Sequence, residues 1–316
     1  MKRRVVLGSI VTGAGILAAP SLFLRRSEAG NPAAYQQIWD ADQEHRGVPA
    51  IRANQRGDQR VGFVRIDERG GRDPDHRVIA EVSIPDEKRE TYDLTKALFD
   101  NYRLDQTKRE DTTQDEAREI LALLEAVTDS APMELARTHL GEARGNPYSR
   151  DEFQALMFDI WFRQYDNGRN LDLSGFEHVV VGEQKAGTVS GYHFWYRYYL
   201  DDFGLLGTGD DIDFDGTRYP KRLIEEARSV PDVVTLGYRW RAEDHDAGIE
   251  RPLFKPTGGF WVGCSVEGLM ALGMIRFFQR GPVTAVINSA RYEIDLYKSP
   301  DRQSIRSYFP IFKGLA

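Results

Sequence analysis

Ser174 to Glu183 reads SGFEHVVVGE, and shortly beyond it Val189 to Leu200 reads VSGYHFWYRYYL. Each stretch is bracketed by glycine, is dense in β-branched or aromatic residues, and carries one histidine. Val179-Val180-Val181 has the composition of a strand. Lys185-Ala186-Gly187-Thr188 is turn-like, and the run from His193 to Leu200 has helical spacing. A strand, a turn and a returning segment would bring His178 and His193 to one face, although they lie fifteen residues apart.

Further along, Val233-Val234, Phe260-Trp261-Val262 and Val283 to Val286 are β-branched or aromatic runs bounded by Gly, Pro and Asp. Helical patterns there are confined to Lys221–Arg228 and Glu267–Phe278. Towards the N-terminus the pattern is mainly helical. Tyr35–Asp42 opens a short helix. Thr113 and Glu116 form a capping box ahead of Ile120, Leu121, Leu123, Leu124 and Val127. Ser149 and Glu152 form another ahead of Phe153, Leu156, Met157, Ile160 and Trp161, a stripe that reads as core. Arg52 to Arg77 holds seven arginines interleaved with five acids and reads as an exposed, solvated loop. The fold class is therefore α+β, with a helical part over 30–165 and a β-rich part over 166–316.

The apolar content of 41% and charged content of 29% describe a globular protein. A single cysteine, Cys264, excludes an intrachain disulfide and a Cys-rich zinc site, and reads as a small core residue. Residues 1–29 differ from the rest. Lys2-Arg3-Arg4 precedes an apolar run from Val5 to Leu24, and Ser27-Glu28-Ala29 is a small-x-small cleavage pattern. This predicts an export signal, loosely of twin-arginine type, with an uncleaved membrane anchor as the alternative. Loss of that segment removes five basic residues and one acidic residue. The counts of 42 basic and 49 acidic residues then become 37 and 48, a net charge of −11. A body this acidic does not coat nucleic acid by bulk attraction, so any polyanion must meet a local basic site.

Of the six histidines, His178 and His193 stand out by their paired context. Two imidazoles titrating near neutrality can act as general base and general acid in one reaction. Two buried, hydrogen-bonded core histidines, or a two-His metal site lacking a third ligand at a recognisable spacing, are the alternatives. Asp211-x-Asp213-x-Asp215-Gly216 has the oxygen-ligand spacing of a calcium loop, but Arg222 stands where the bidentate Glu of an EF-hand belongs. Ile212 and Phe214 alternate with these acids, which reads as a half-buried edge strand, with Ca²⁺ or Mn²⁺ binding as the alternative.

SGFEHVVVGE followed by VSGYHFWYRYYL resembles the paired histidine motifs of the EndoU (poly-U-specific endoribonuclease) family. Phe254-Lys255-Pro256-Thr257-Gly258-Gly259-Phe260-Trp261-Val262-Gly263-Cys264-Ser265 resembles its third motif, a lysine leading into a small-residue turn and a strand. The resemblance extends to Ile38–Asp42 and Phe158–Tyr165. It implies a helical part followed by a catalytic part of antiparallel sheets. It also implies cleavage of single-stranded RNA, not DNA, by attack of the 2′-hydroxyl on phosphorus to leave a 2′,3′-cyclic phosphate. His178 and His193 would be the acid/base pair, with His193 the base and His178 the acid, and Lys255 the cation that stabilises the phosphorane charge.

The same resemblance assigns Glu177 and Glu183 either to a divalent cation, Mn²⁺ or Ca²⁺ acting as activator, or to the orientation of His178. It places Ser307, Tyr308 and Phe309 against the RNA, with Phe309 where the family has a tyrosine and Tyr297 as another candidate. It sets Gly259 where a serine faces the base in other members. Glycine offers no hydroxyl and Thr257 is two residues off register, so a relaxed uridine preference is expected. A catalytically inactive RNA- or protein-binding member of the same fold is the alternative function. Cleavage of labelled RNA discriminates the two, and a metal-dependent DNase would be revealed by a DNA substrate.

Overall fold

The computed structural model describes residues 32–67, 77–110, 112–185, 187–206, 213–218, 230–244 and 247–316. The segment read as an export signal, residues 1–29, and the helical pattern at 221–228 lie outside them. Among the described residues no helix is long and apolar enough to cross a membrane.

Helix α1 (Pro32–His45) turns Tyr35, Ile38 and Trp39 inward, the i, i+3, i+4 spacing of a buried stripe. Strands β1 (Ala50–Arg52), β2 (Phe63–Ile66) and β3 (Ile79–Ser83) form a small mixed sheet. The reading of Arg52–Arg77 as a loop is corrected here. Phe63, Val64 and Ile66 are buried in β2, too short a run to stand out among the arginines. Helices α2 (Glu90–Ala97), α3 (Gln114–Thr128), α4 (Ala131–Arg144) and α5 (Arg150–Trp161) come next. Both capping boxes are formed, Thr113 with Glu116 and Ser149 with Glu152. Each such cap is worth about 1 kcal/mol. Helix α4 has Pro132 in its first turn and ends at Gly145, whose φ of 76° needs no Cβ.

A hairpin of β4 (Tyr165–Asn167) and β5 (Asn170–Leu173) leads into a wide helical turn, Glu177–Val181. Strands β6 (Glu183–Lys185) and β7 (Thr188–Ser190) precede α6 (Trp195–Asp202) and β8 (Asp213–Arg218). The long strands β9 (Val233–Asp244) and β10 (Ile249–Trp261) then complete a five-stranded sheet of order β6-β7-β10-β9-β8. Its pairs are antiparallel except β7 with β10. Helix α7 (Val266–Phe278) and an antiparallel sheet of β11 (Thr284–Ile287), β12 (Ala290–Lys298) and β13 (Ile305–Leu315) close the chain.

The architecture is α+β, and one core joins its parts. Helix α7 is apolar on nearly every side and almost wholly buried. It packs against α1, α4 and α5 and against β12. Trp161, Trp261, Tyr292 and Tyr308 fill the space between the helices and the C-terminal sheet. Asp42 of α1 ties the two ends of the chain. It accepts from the Ser265 backbone N–H at 3.1 Å and from the Ser265 hydroxyl, which caps Gly268 of α7. Burial pushes the Asp42 carboxyl up to about 6, against the pull of its hydrogen bonds from Ser265.

Candidate active site

The His178 segment is helical, a correction to its reading as a strand. Ser174 and Glu177 exchange hydrogen bonds, each at 3.2 Å, in a Ser-x-x-Glu box that starts the turn. The turn closes five residues apart, Gly182 N–H donating to the Glu177 carbonyl at 2.8 Å. Val179, Val180 and Val181 are buried by their neighbours, so tertiary packing overrides their β preference. Strands β6 and β7 then form the hairpin that returns the chain. Tyr192 N–H donates to the His178 carbonyl at 2.8 Å and His193 N–H to the Val179 carbonyl at 2.6 Å. Only glycine fits at 191: φ is +67° and a Cβ would collide with the His178 carbonyl oxygen.

The two imidazoles end 6.4 Å apart, centroid to centroid, and both are buried. Their outer nitrogens face different partners. His178 Nδ1 lies 2.7 Å from Glu183 Oε2. His193 Nδ1 lies 2.8 Å from the Gly259 carbonyl, which can only accept. His193 therefore carries its proton on Nδ1, and in the neutral ring Nε2 holds the lone pair. Burial holds the His193 ring well below the usual histidine range, and the charges of Lys255 and His178 push the same way. Phe309 stacks on this ring at 4.7 Å with an interplanar angle of 21°.

Lys255 reaches the site from β10. Leu253 and Lys255 point inward while Phe254 points out, the alternation of a strand. Between Lys255 and Gly258 the pairing with β9 slips by a bulge, which frees Pro256 from the ladder and re-aims the strand beyond it. The ammonium donates to the Gly191 carbonyl. Burial lowers it to about 8, with the Glu183 carboxylate partly opposing that shift. Two imidazoles in different environments and one cation thus share a site, which suits proton exchange around a developing anion.

The other candidates divide. Glu183 holds His178, whereas Glu177 serves the cap. Burial, then Glu183 and Glu110, raise the Glu177 carboxyl well above the usual range. Gly259 contributes its carbonyl to His193, and a Cβ there would lie 3.2 Å from the Pro310 carbonyl oxygen. Ser307 is nearly buried opposite the exposed Tyr297. The assignment of Tyr308 to substrate is corrected. Its side chain alternates to the other face of β13, fully buried, with its hydroxyl 3.4 Å from Trp261 Nε1. Thr257 is exposed at the bulge, and Cys264 is buried.

Among the described residues, no three His, Cys, Asp or Glu side chains gather to hold a metal ion. Asp211 lies outside those residues. Asp213 and Asp215 fall in β8, an edge strand, and their side chains are likewise outside the description. Gln106, buried beside Glu183, was not singled out by sequence. It lies 77 residues from its partner in sequence, with no local pattern to mark it.

Residues 32–310 match the protein-family model described as endoribonuclease XendoU. A poly(U)-specific endoribonuclease-A of Xenopus laevis is 27% identical over 291 residues, covering 88% of this chain and 91% of its own length. A uridylate-specific endoribonuclease C of Danio rerio is 31% identical over 229 residues, 70% of this chain and 67% of its own. A solved structure of XendoU, a splicing independent snoRNA processing endoribonuclease, has the same fold. It superposes with a TM-score of 0.64 at 22% identity, covering 90% of this chain and 97% of that one.

Proposed function

We propose, from the premise that the chain is an endoribonuclease of the XendoU family, that it cuts single-stranded RNA by transesterification, leaving a 2′,3′-cyclic phosphate and a 5′-hydroxyl. One group must take the 2′ proton, another must protonate the leaving 5′ oxygen, and a cation must meet the charge on the non-bridging oxygens. The difference between the two histidines carries the assignment. His193, neutral and protonated on Nδ1 by its bond to the Gly259 carbonyl, offers Nε2 as the base. His178, with Nδ1 on the Glu183 carboxylate, has a counter-charge for the imidazolium that acts as acid. Lys255, charged below about 8, lies within electrostatic reach of His193 and of the Glu183 carboxylate, and neutralises the phosphorane.

No step requires a metal ion. Glu183 Oε2 is shared by His178 and Gln106 and Glu177 Oε2 is held by Ser174, which supports orientation of His178 by these carboxylates over a Mn²⁺ or Ca²⁺ shell. Mixed-sequence RNA incubated with the mature protein, with Mn²⁺ and with a chelator, tests this reading by mapping the ends. Cyclic phosphate ends in both reactions support it; 3′-hydroxyl ends, or cutting only with Mn²⁺, overturn it. The basic and apolar character of residues 1–29 supports export of the chain. Fractionation of host cells tests that, and a full-length soluble cytoplasmic product would refute it.

A further inference from the structure

The carboxylate that orients His178 is itself held from a distant part of the chain. Gln106 is 3% exposed and Glu183 fully buried. The Gln106 Nε2 donates to Glu183 Oε2, the same oxygen that faces His178 Nδ1. The amide cannot be turned over, because its oxygen would then face a carboxylate oxygen with no proton between them. The backbone around Gln106 is pinned on both sides. Gln184 N–H donates to the Leu104 carbonyl and Leu171 N–H to the Gln106 carbonyl, each at 2.8 Å. Asp105 fixes the turn by accepting from Thr107 N–H at 2.9 Å and from its hydroxyl at 2.7 Å. A segment between α2 and α3 is thus laid along β6 with one side chain aimed at the carboxylate that holds His178.

We infer that Gln106 is a positioning residue for RNA cleavage, acting on His178 through Glu183. The inference rests on the ribonuclease reading above. Among the described residues, buried Glu183 Oε1 has no hydrogen-bond partner, so Oε2 carries the anchoring of the group. Without the amide, the carboxylate keeps only the imidazole and is free to rotate, and the His178 ring loses its fixed direction. The other titratable groups facing Glu183 are Glu177, Lys255 and Tyr165. None of them is hydrogen-bonded to it, so none replaces the amide.

Gln106→Leu should lower kcat about ten- to hundredfold with KM nearly unchanged. Combined with Glu183→Gln it should cost nothing further, since both act through one contact. Gln106→Glu keeps the volume and supplies a variant that folds if the leucine does not. Its introduced carboxyl can donate to Glu183 only while protonated, so its kcat should already fall as pH rises below about 8, where Lys255 is still charged and the parent's kcat does not fall. The ¹⁵N signals of the His178 ring, read in the RNA-free protein, should move in both variants. That readout separates this inference from the reaction assignment, because it needs no turnover. Parental kcat with unmoved His178 signals, or losses that multiply with those of Glu183→Gln, would overturn the role.

Discussion

At the scale of single residues, the site is a difference in environment between two identical side chains. His193 faces a carbonyl and a phenyl ring, and His178 faces a carboxylate. His193→Ala and Lys255→Ala should each remove about 2.7–4 kcal/mol of transition-state stabilisation, a loss of about 10²–10³ in kcat. Lys255 is charged below about 8 and neutral above it, so kcat/KM should fall as pH rises through about 8. Lys255→Arg should move that decline upward, since a guanidinium keeps its charge. A kcat/KM profile flat to well above 8 would contradict the role. Gly259 has no side chain and its carbonyl is engaged by His193, while Phe309 stacks on the imidazole. Cytidine should therefore be cut within about tenfold of uridine. Matched oligonucleotides with one U, C, A or G at the scissile position check this, and strong uridine selectivity would refute it. Gly259→Ser is a poor probe, because its Cβ presses on the Pro310 carbonyl. That His178, His193 and Lys255 come together was legible in the sequence because their motifs are local. Gln106 was not, because its partner is distant and a lone glutamine carries no signal.

At the scale of elements, the hairpin of β6 and β7 brings the two histidines together, and Gly191 lets the segments touch. Gly191→Ala should both strain a left-handed backbone and push the His178 carbonyl away. We expect a loss of at least about 1–2 kcal/mol and an activity loss beyond it. Denaturant midpoints and kcat measured on the same samples check this, and a variant with unchanged stability and rate would contradict the packing. The pairing of the histidines was readable from glycines and turn residues. The helical nature of the His178 turn was not, because three valines in a row speak for a strand. The Ser174–Glu177 box was the signal that could have found it. The helices α3 and α5 were readable from their capping boxes. The strand β2 was hidden by the arginines around it.

At the scale of the whole molecule, helix α1 and helix α7 come from opposite ends of the chain and meet at Asp42. The folded state raises this carboxyl from 3.8 to about 6, so it binds a proton more tightly than the unfolded chain does. Its contribution to stability is therefore full below about 3.8 and is lost as pH rises through about 6, a change of about 3 kcal/mol. Asp42→Asn should flatten stability over that window relative to the parent. Denaturation of both proteins at a series of pH values checks it, and parallel curves would contradict the linkage. The α+β class was legible from the shift in residue texture near 166. That α7 would become the shared core of helices and sheets was not, because burial on every side depends on partners far away in sequence. The chemistry proposed for this fold takes a 2′-hydroxyl as its nucleophile. The direct measurement is cleavage of a DNA oligonucleotide carrying a single ribonucleotide, beside its all-deoxy twin. One cut is expected, 3′ to the ribose, ending in a 2′,3′-cyclic phosphate, with the twin intact. Cleavage of the all-deoxy strand, or a 3′-hydroxyl end at the ribose, would contradict it.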